Sequence, residues 1–129
     1  MITITPMFVY RDSTNTWTPT NETFTRSEVA KKLGISRTTL WRYETKIVQP
    51  ANIIDFYRYV KAHPKKLDYY CIFVIFKAIE HYQGEGSYCK AEEVMKEQRA
   101  LYTRQRYDQH IQQLIAKHQP NQPKRRTAA

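Results

Sequence analysis

Glycine is scarce in this chain, with three residues in 129. Gly34, Gly84 and Gly86 all stand where turns are expected, so none is left to build a phosphate-cradling loop. Cysteine is scarcer still: Cys71 and Cys89 show no C-x-x-C spacing, which argues against a disulfide scaffold or a standard zinc module. A site from Cys71, His81 and Cys89 can be drawn, but buried structural cysteines are the simpler reading. No apolar run exceeds the eight residues Tyr69 to Phe76, far below the roughly 20 needed to cross a bilayer. The first residues lack the basic start and apolar core of a signal peptide, so a cytoplasmic chain is expected. Neither a nucleophile elbow nor a pair of carboxylates in a plausible cleft appears, and no catalytic activity, cofactor or metal is expected. Acidic residues are the minority charge, 12 against 21 Lys and Arg, for a net +9.

What the chain does have is local punctuation between residues 24 and 46. Thr25 and Glu28 have the S/T-x-x-E spacing of a capping box, in which each side chain satisfies an orphan backbone donor. Phe24 and Val29 are spaced for a hydrophobic staple across that helix start. Gly34 offers the left-handed residue that ends the helix. Ser36 can cap a second helix, and Ile35 with Leu40 repeats the staple. Two capped helices joined by a Gly-Ile-Ser turn must cross steeply, which predicts a helix-turn-helix. Val29, Ala30, Leu33, Ile35, Leu40 and Tyr43 would face its core, with Ala30 at the closest approach. The second helix of such a pair enters the major groove of duplex DNA.

The charge distribution agrees. Lys and Arg exceed Asp and Glu by four in residues 24–46 and by three in 47–66, whereas 67–89 is net negative. Positive charge therefore gathers on the helix-turn-helix and the segment after it, as phosphate contact requires.

The rest of the chain reads as helices with polar ends. Residues 1–23 are Thr-rich, with a short alternation at Ile2 to Thr5, and are read as an N-terminal arm in preference to a strand; Trp17 would dock it. Gln49 to Asn52 breaks the chain, with Asn52 capping a helix from Ile53 to about Ala62. A third helix is expected from Lys66 to Gln83, its rival being a buried strand at Cys71 to Phe76. After Gly84 to Ser87, a helix-forming run extends unbroken from Tyr88 to His118, which as one helix would span about 45 Å. Its narrow stripe of Val94, Leu101, Tyr102, Ile111, Leu114 and Ile115 needs a partner, and a second copy of the chain is the economical choice. Residues 119–129 form a basic tail. The expected division is thus an arm (1–23), a DNA-binding domain (24–65), a helical dimerisation region (66–118) and the tail.

Ser27 to Glu44 resembles the DNA-binding end of MerR-type transcriptional regulators. Glu28-Val29-Ala30, Gly34-Ile35-Ser36, Thr39-Leu40 and Tyr43-Glu44 stand at that family's spacings. Asp55 to Val60 looks like the helix that follows its wing, and the long last helix like its antiparallel dimerisation device. Three departures accompany the likeness. Thr38 stands where the family usually has Arg, only Lys46 to Asn52 is available for a wing, and no effector module follows. The resemblance implies a mainly all-α, MerR-like fold with a shortened or absent wing and a long C-terminal dimerisation helix. It is nearest to short MerR-type repressors, such as those beside CRISPR-associated transposons in cyanobacteria.

The expectation is a homodimeric, sequence-specific, double-stranded-DNA-binding repressor that acts by occupying a promoter, without a small-molecule effector. Arg37, Thr38, Thr39 and Arg42 would read bases from a helix begun by Ser36. Trp41 and Tyr43 would pack or touch sugar and phosphate, and Arg26, Lys31 and Lys46 would clamp phosphates. The alternative is an excisionase, a transposon accessory protein or a phage packaging subunit using the same head.

Overall fold

In the computed structural model the described residues are 9–11, 17–19 and 22–117, and most of them are helical. They divide into two compact units, residues 9–11 and 17–19 with 108–117, and residues 22–107. In the first unit, β1 (Val9–Arg11) pairs antiparallel with β2 (Trp17–Pro19) in the register Tyr10 opposite Thr18. Part of the segment read as an arm is therefore a strand pair. The Ile2 to Thr5 alternation and the basic tail lie outside the described residues.

The second unit begins with β3 (Thr23–Phe24), followed by α1 (Arg26–Leu33) and α2 (Arg37–Tyr43). The capping box forms as its spacing requires: the Glu28 N–H donates to Thr25 Oγ1 at 3.2 Å, and the Thr25 N–H to Glu28 Oε1 at 2.8 Å. Gly34 closes α1 at φ 71°, where a side chain would be strained. Ser36 Oγ accepts from the Thr39 N–H at 3.0 Å and starts α2. Val29, Ala30, Leu33, Leu40 and Tyr43 are buried, and Ile35 is half-buried.

Beyond Tyr43 the helix does not stop. It passes through a π-helical stretch, Glu44–Val48, into α3 (Gln49–Ala51), and ends at Asn52 in the left-handed conformation with φ 59°. Pro50 donates no N–H, and its ring would press on the carbonyl four residues earlier; the widened turns directly before it relieve that clash. The break expected over Gln49 to Asn52 thus falls at the last of these residues. Asn52 ends one helix instead of capping the next, and α4 (Ile54–Ala62) starts from Ile53 without a side-chain cap.

After α4, the turn 63–66 leads into β4 (Leu67–Asp68), which pairs antiparallel with β3 in the register Thr23 opposite Asp68 and Phe24 opposite Leu67. Asp68 Oδ1 then accepts from the Cys71 N–H at 3.0 Å and caps α5 (Tyr69–Glu85). The apolar run is therefore helical, and Tyr69 to Ile75 are all buried because α5 is the central helix of this unit. Gly84 is helical; Gly86, at φ 74°, makes the turn.

The run after Ser87 is not one helix. α6 (Tyr88–Glu97) gives way to a 3-10 turn (Arg99–Tyr102) and then α7 (Arg104–Lys117). A local cap and tertiary contacts meet at the break: Thr103 Oγ1 accepts from the Arg106 N–H at 3.2 Å and starts α7. The Tyr70 hydroxyl donates to the Tyr102 carbonyl, and the Arg104 N–H donates to Asp55 Oδ2 at 2.8 Å. The Arg104 guanidinium binds Asp68 Oδ2 at 2.9 Å and lies 4.4 Å over the Tyr70 ring. Tyr107 packs edge-on against Tyr70 at 5.6 Å. These bonds spend on α4 and α5 the groups that a continuous helix would have used along its own axis.

Candidate nucleic-acid interface

The recognition helix α2 presents two unlike faces. Leu40 and Tyr43 point inward, and Ile47 continues their row into the π-helical stretch, fully buried. Tyr43 packs against Tyr82 at 5.7 Å and Tyr88 at 6.1 Å, which ties α2 to the end of α5 and the start of α6. Burial accordingly raises its pKa. Tyr43 is thus a core residue, not a contact to sugar or phosphate.

The opposite face carries Arg37, Thr38, Trp41 and Arg42, all exposed. Thr38, Trp41 and Arg42 share one stripe at helical spacing. Trp41 is 59% exposed, far more than a tryptophan that serves a core. Arg37 donates from a terminal guanidinium nitrogen to Ser27 Oγ at 2.9 Å, which holds the tip of its side chain beside α1 and uses one of its five donors. Thr39 is half-buried, and its hydroxyl accepts from Ser36 Oγ at 2.9 Å. Ser36 and Thr39 therefore serve the cap. Lys31 and Lys46 are exposed, and the Lys46 ammonium lies 5.3 Å from the Tyr88 ring centroid.

Arg26 departs from its expected place at the phosphates. Its Nε and a second nitrogen grip the Glu44 carboxylate at 2.8 and 3.0 Å, and its remaining nitrogen donates to the Pro64 carbonyl at 2.8 Å. Glu44 is only 4% exposed, so this is a largely desolvated bidentate pair. The Glu44 hydrogen bond outweighs burial and raises the Arg26 pKa. Arg26 is a brace between α1, the end of the recognition helix and the turn after α4. The signal missed in the sequence was the closing Tyr-Glu dipeptide, which supplies the carboxylate for it.

Among the described residues, no strand follows α2 before β4, so the head has no hairpin wing; helix occupies Glu44 to Ala51 instead. No group of three or more potential metal ligands occurs among them either, with Cys71 buried, Cys89 exposed and His81 Nε2 bonded to the Tyr102 hydroxyl at 2.7 Å. No helix of the described residues is long and apolar enough to cross a membrane.

The expected dimer residues are dispersed. Val94 is half-buried, and Tyr102 is buried with its hydroxyl donating to Gln98 Oε1 at 2.9 Å. Ile111 is 2% exposed in a single chain, so its surface is already covered. Leu101 alone of these is open, at 44%. The side chain of Ile115 lies outside the described residues. The continuous seam required for a long coiled coil does not form.

A family model matches this head. It is that of the bacterial regulatory protein, Fis family, and it covers residues 22–42, from the strand before α1 through most of α2. Comparison with curated proteins and with solved structures returns no match. The match and the geometry agree on a helix-turn-helix of the kind carried by bacterial regulators. They give no support to the MerR-type order of parts, whose wing is replaced by helix here and whose long last helix is broken.

Proposed function

We propose that this protein is a sequence-specific duplex-DNA-binding transcriptional regulator. The observation that carries the reading is the outer face of α2, where Arg37, Thr38, Trp41 and Arg42 are exposed together on a helix fixed at its start by Ser36 and at its end by Glu44. The N-terminal residues of a recognition helix meet base edges, which makes Arg37 a bidentate donor to guanine and Thr38 its neighbour in the groove. Trp41 offers a ring to sugar or to a thymine methyl. Arg42, Lys31 and Lys46 hold phosphates.

We infer repression by promoter occupancy. A head whose recognition helix fills the major groove excludes other proteins from the same stretch of DNA. Two copies acting on paired half-sites would supply the affinity that one short recognition helix lacks. The exposed Leu101 is the member of the expected seam still free to meet a second copy. Selection of bound duplexes from a randomised pool tests the reading. Enrichment of one sequence motif is expected, with two-fold symmetry if the active form is a dimer. Recovery of an unenriched pool would overturn sequence-specific recognition.

A further inference from the structure

Among the described residues the head has no hairpin wing, but a basic turn stands beside it. Pro64, Lys65 and Lys66 lie between α4 and β4, and both lysines are exposed. Two attachments fix this turn. The Pro64 carbonyl accepts from Arg26 at 2.8 Å, while Arg26 simultaneously grips Glu44 at the end of the recognition helix. The β3–β4 pair sets Leu67 opposite Phe24, so the next position back along β4, Lys66, lies by the Thr25 cap of α1. Lys66 is close enough to Glu28 to help lower the pKa of its carboxyl, whose main cause is the hydrogen bond to Thr25.

The turn also adjoins the reading face. A shallow depression on the surface is lined by Arg26, Arg37, Thr38, Leu40 and Trp41, and Arg26 on its wall is the residue that touches Pro64. When a recognition helix lies in the major groove, the first helix of the pair crosses the phosphate backbone. A positively charged turn braced to the start of that first helix would meet the same backbone.

We propose that the turn Pro64–Lys66 is a second phosphate-binding element of the head, with Lys65 and Lys66 gripping the DNA backbone flanking the groove that α2 reads. The inference rests on the reading of the head as a duplex-DNA binder. Lys65 carries the larger share, because Glu28 offsets part of the charge of Lys66. The Arg26–Glu44 pair is the positioning device, coupling the turn to the recognition helix so that the two meet DNA as one rigid surface.

Backbone contacts act on any sequence, so the test needs no operator. A fluorescently labelled duplex of mixed sequence is titrated with the full chain, with Lys65→Ala/Lys66→Ala and with Lys65→Glu/Lys66→Glu, over about 50 to 200 mM salt. Loss of two phosphate contacts should lower the magnitude of the log K against log salt slope by about 1.8. The affinity advantage of the wild type over the alanine variant should therefore shrink about tenfold across that range. The glutamate variant should lose more affinity than the alanine variant at low salt. Circular dichroism of both should match the wild type, since the lysines are exposed. A wild type that binds with a variant slope equal to its own would overturn this inference and leave the DNA-binding reading intact. A wild type that fails to bind duplex at the lowest salt would overturn both.

Discussion

The helix-turn-helix and the run from Tyr88 to Lys117 are both built from good helix formers, but caps alone set the boundaries of the first, whereas distant side chains join the caps of the second. In the head, Thr25, Glu28, Gly34 and Ser36 each satisfy backbone groups a few residues away, so the start, stop and crossing of two helices are set locally. In the later run Ser87 caps α6 and Thr103 caps α7, the Thr103 hydroxyl accepting from the Arg106 N–H at 3.2 Å. Beside that second cap Tyr70, Asp55 and Asp68, from elsewhere in the chain, capture Tyr102 and Arg104 and hold the break. Caps set structure over a few residues, whereas buried polar and aromatic partners can override helix propensity from more than thirty residues away.

The sharpest way to break this comparison is at the brace of the head. Arg26→Ala leaves the buried Glu44 carboxylate unpaired and should cost about 3–5 kcal/mol in chemical denaturation, with Arg26→Met/Glu44→Leu recovering most of it. A phosphate contact would instead leave stability unchanged and alter only the salt dependence of DNA binding.

Asp68→Ala tests the other region. It removes both the cap of α5 and the partner of Arg104, for an expected loss of about 2–3 kcal/mol in urea unfolding. Tyr70→Phe, which deletes only the bond to the Tyr102 carbonyl, should cost about 1 kcal/mol. If neither substitution has an effect, the break after α6 is not held by these contacts.

Local punctuation should yield smaller numbers. Gly34→Ala meets no neighbouring atom, so its whole cost is the left-handed backbone, about 1 kcal/mol in thermal unfolding.

The smallest effect concerns pH. Burial lowers the His81 pKa below its ordinary 6.5, so the unfolded chain binds its proton more readily than the folded one. Stability should therefore fall as pH drops through about 6.5. Denaturation midpoints of His81→Gln, compared with wild type across pH 5 to 8 (a window of roughly one to two units about that value), should show a shallower decline. A steeper one would reverse the assigned sign.

The legibility of the sequence follows the same division. The two helices of the head, their caps and the outward placement of Arg37, Thr38 and Arg42 could be read from residues a few positions apart, while the shortened or absent wing is implied only by the family resemblance. The role of Arg26 could not, because it depends on Glu44 and Pro64, nor could the partners of the core residue Tyr43, because Tyr82 and Tyr88 arrive only when the chain folds back. The same holds for Tyr102 and Ile111. An apolar stripe at helical spacing states that a face is buried without saying whether the same chain or a second copy buries it.

The most direct test of the central claim sets Arg37→Ala against wild type on two duplexes, the sequence enriched by selection and a scrambled version of it. If the outer face of α2 reads bases, wild type should prefer the enriched duplex. The variant should then lose about 1–3 kcal/mol on that duplex and almost nothing on the scrambled one. Equal losses on both, or a wild type that does not tell them apart, would contradict the account.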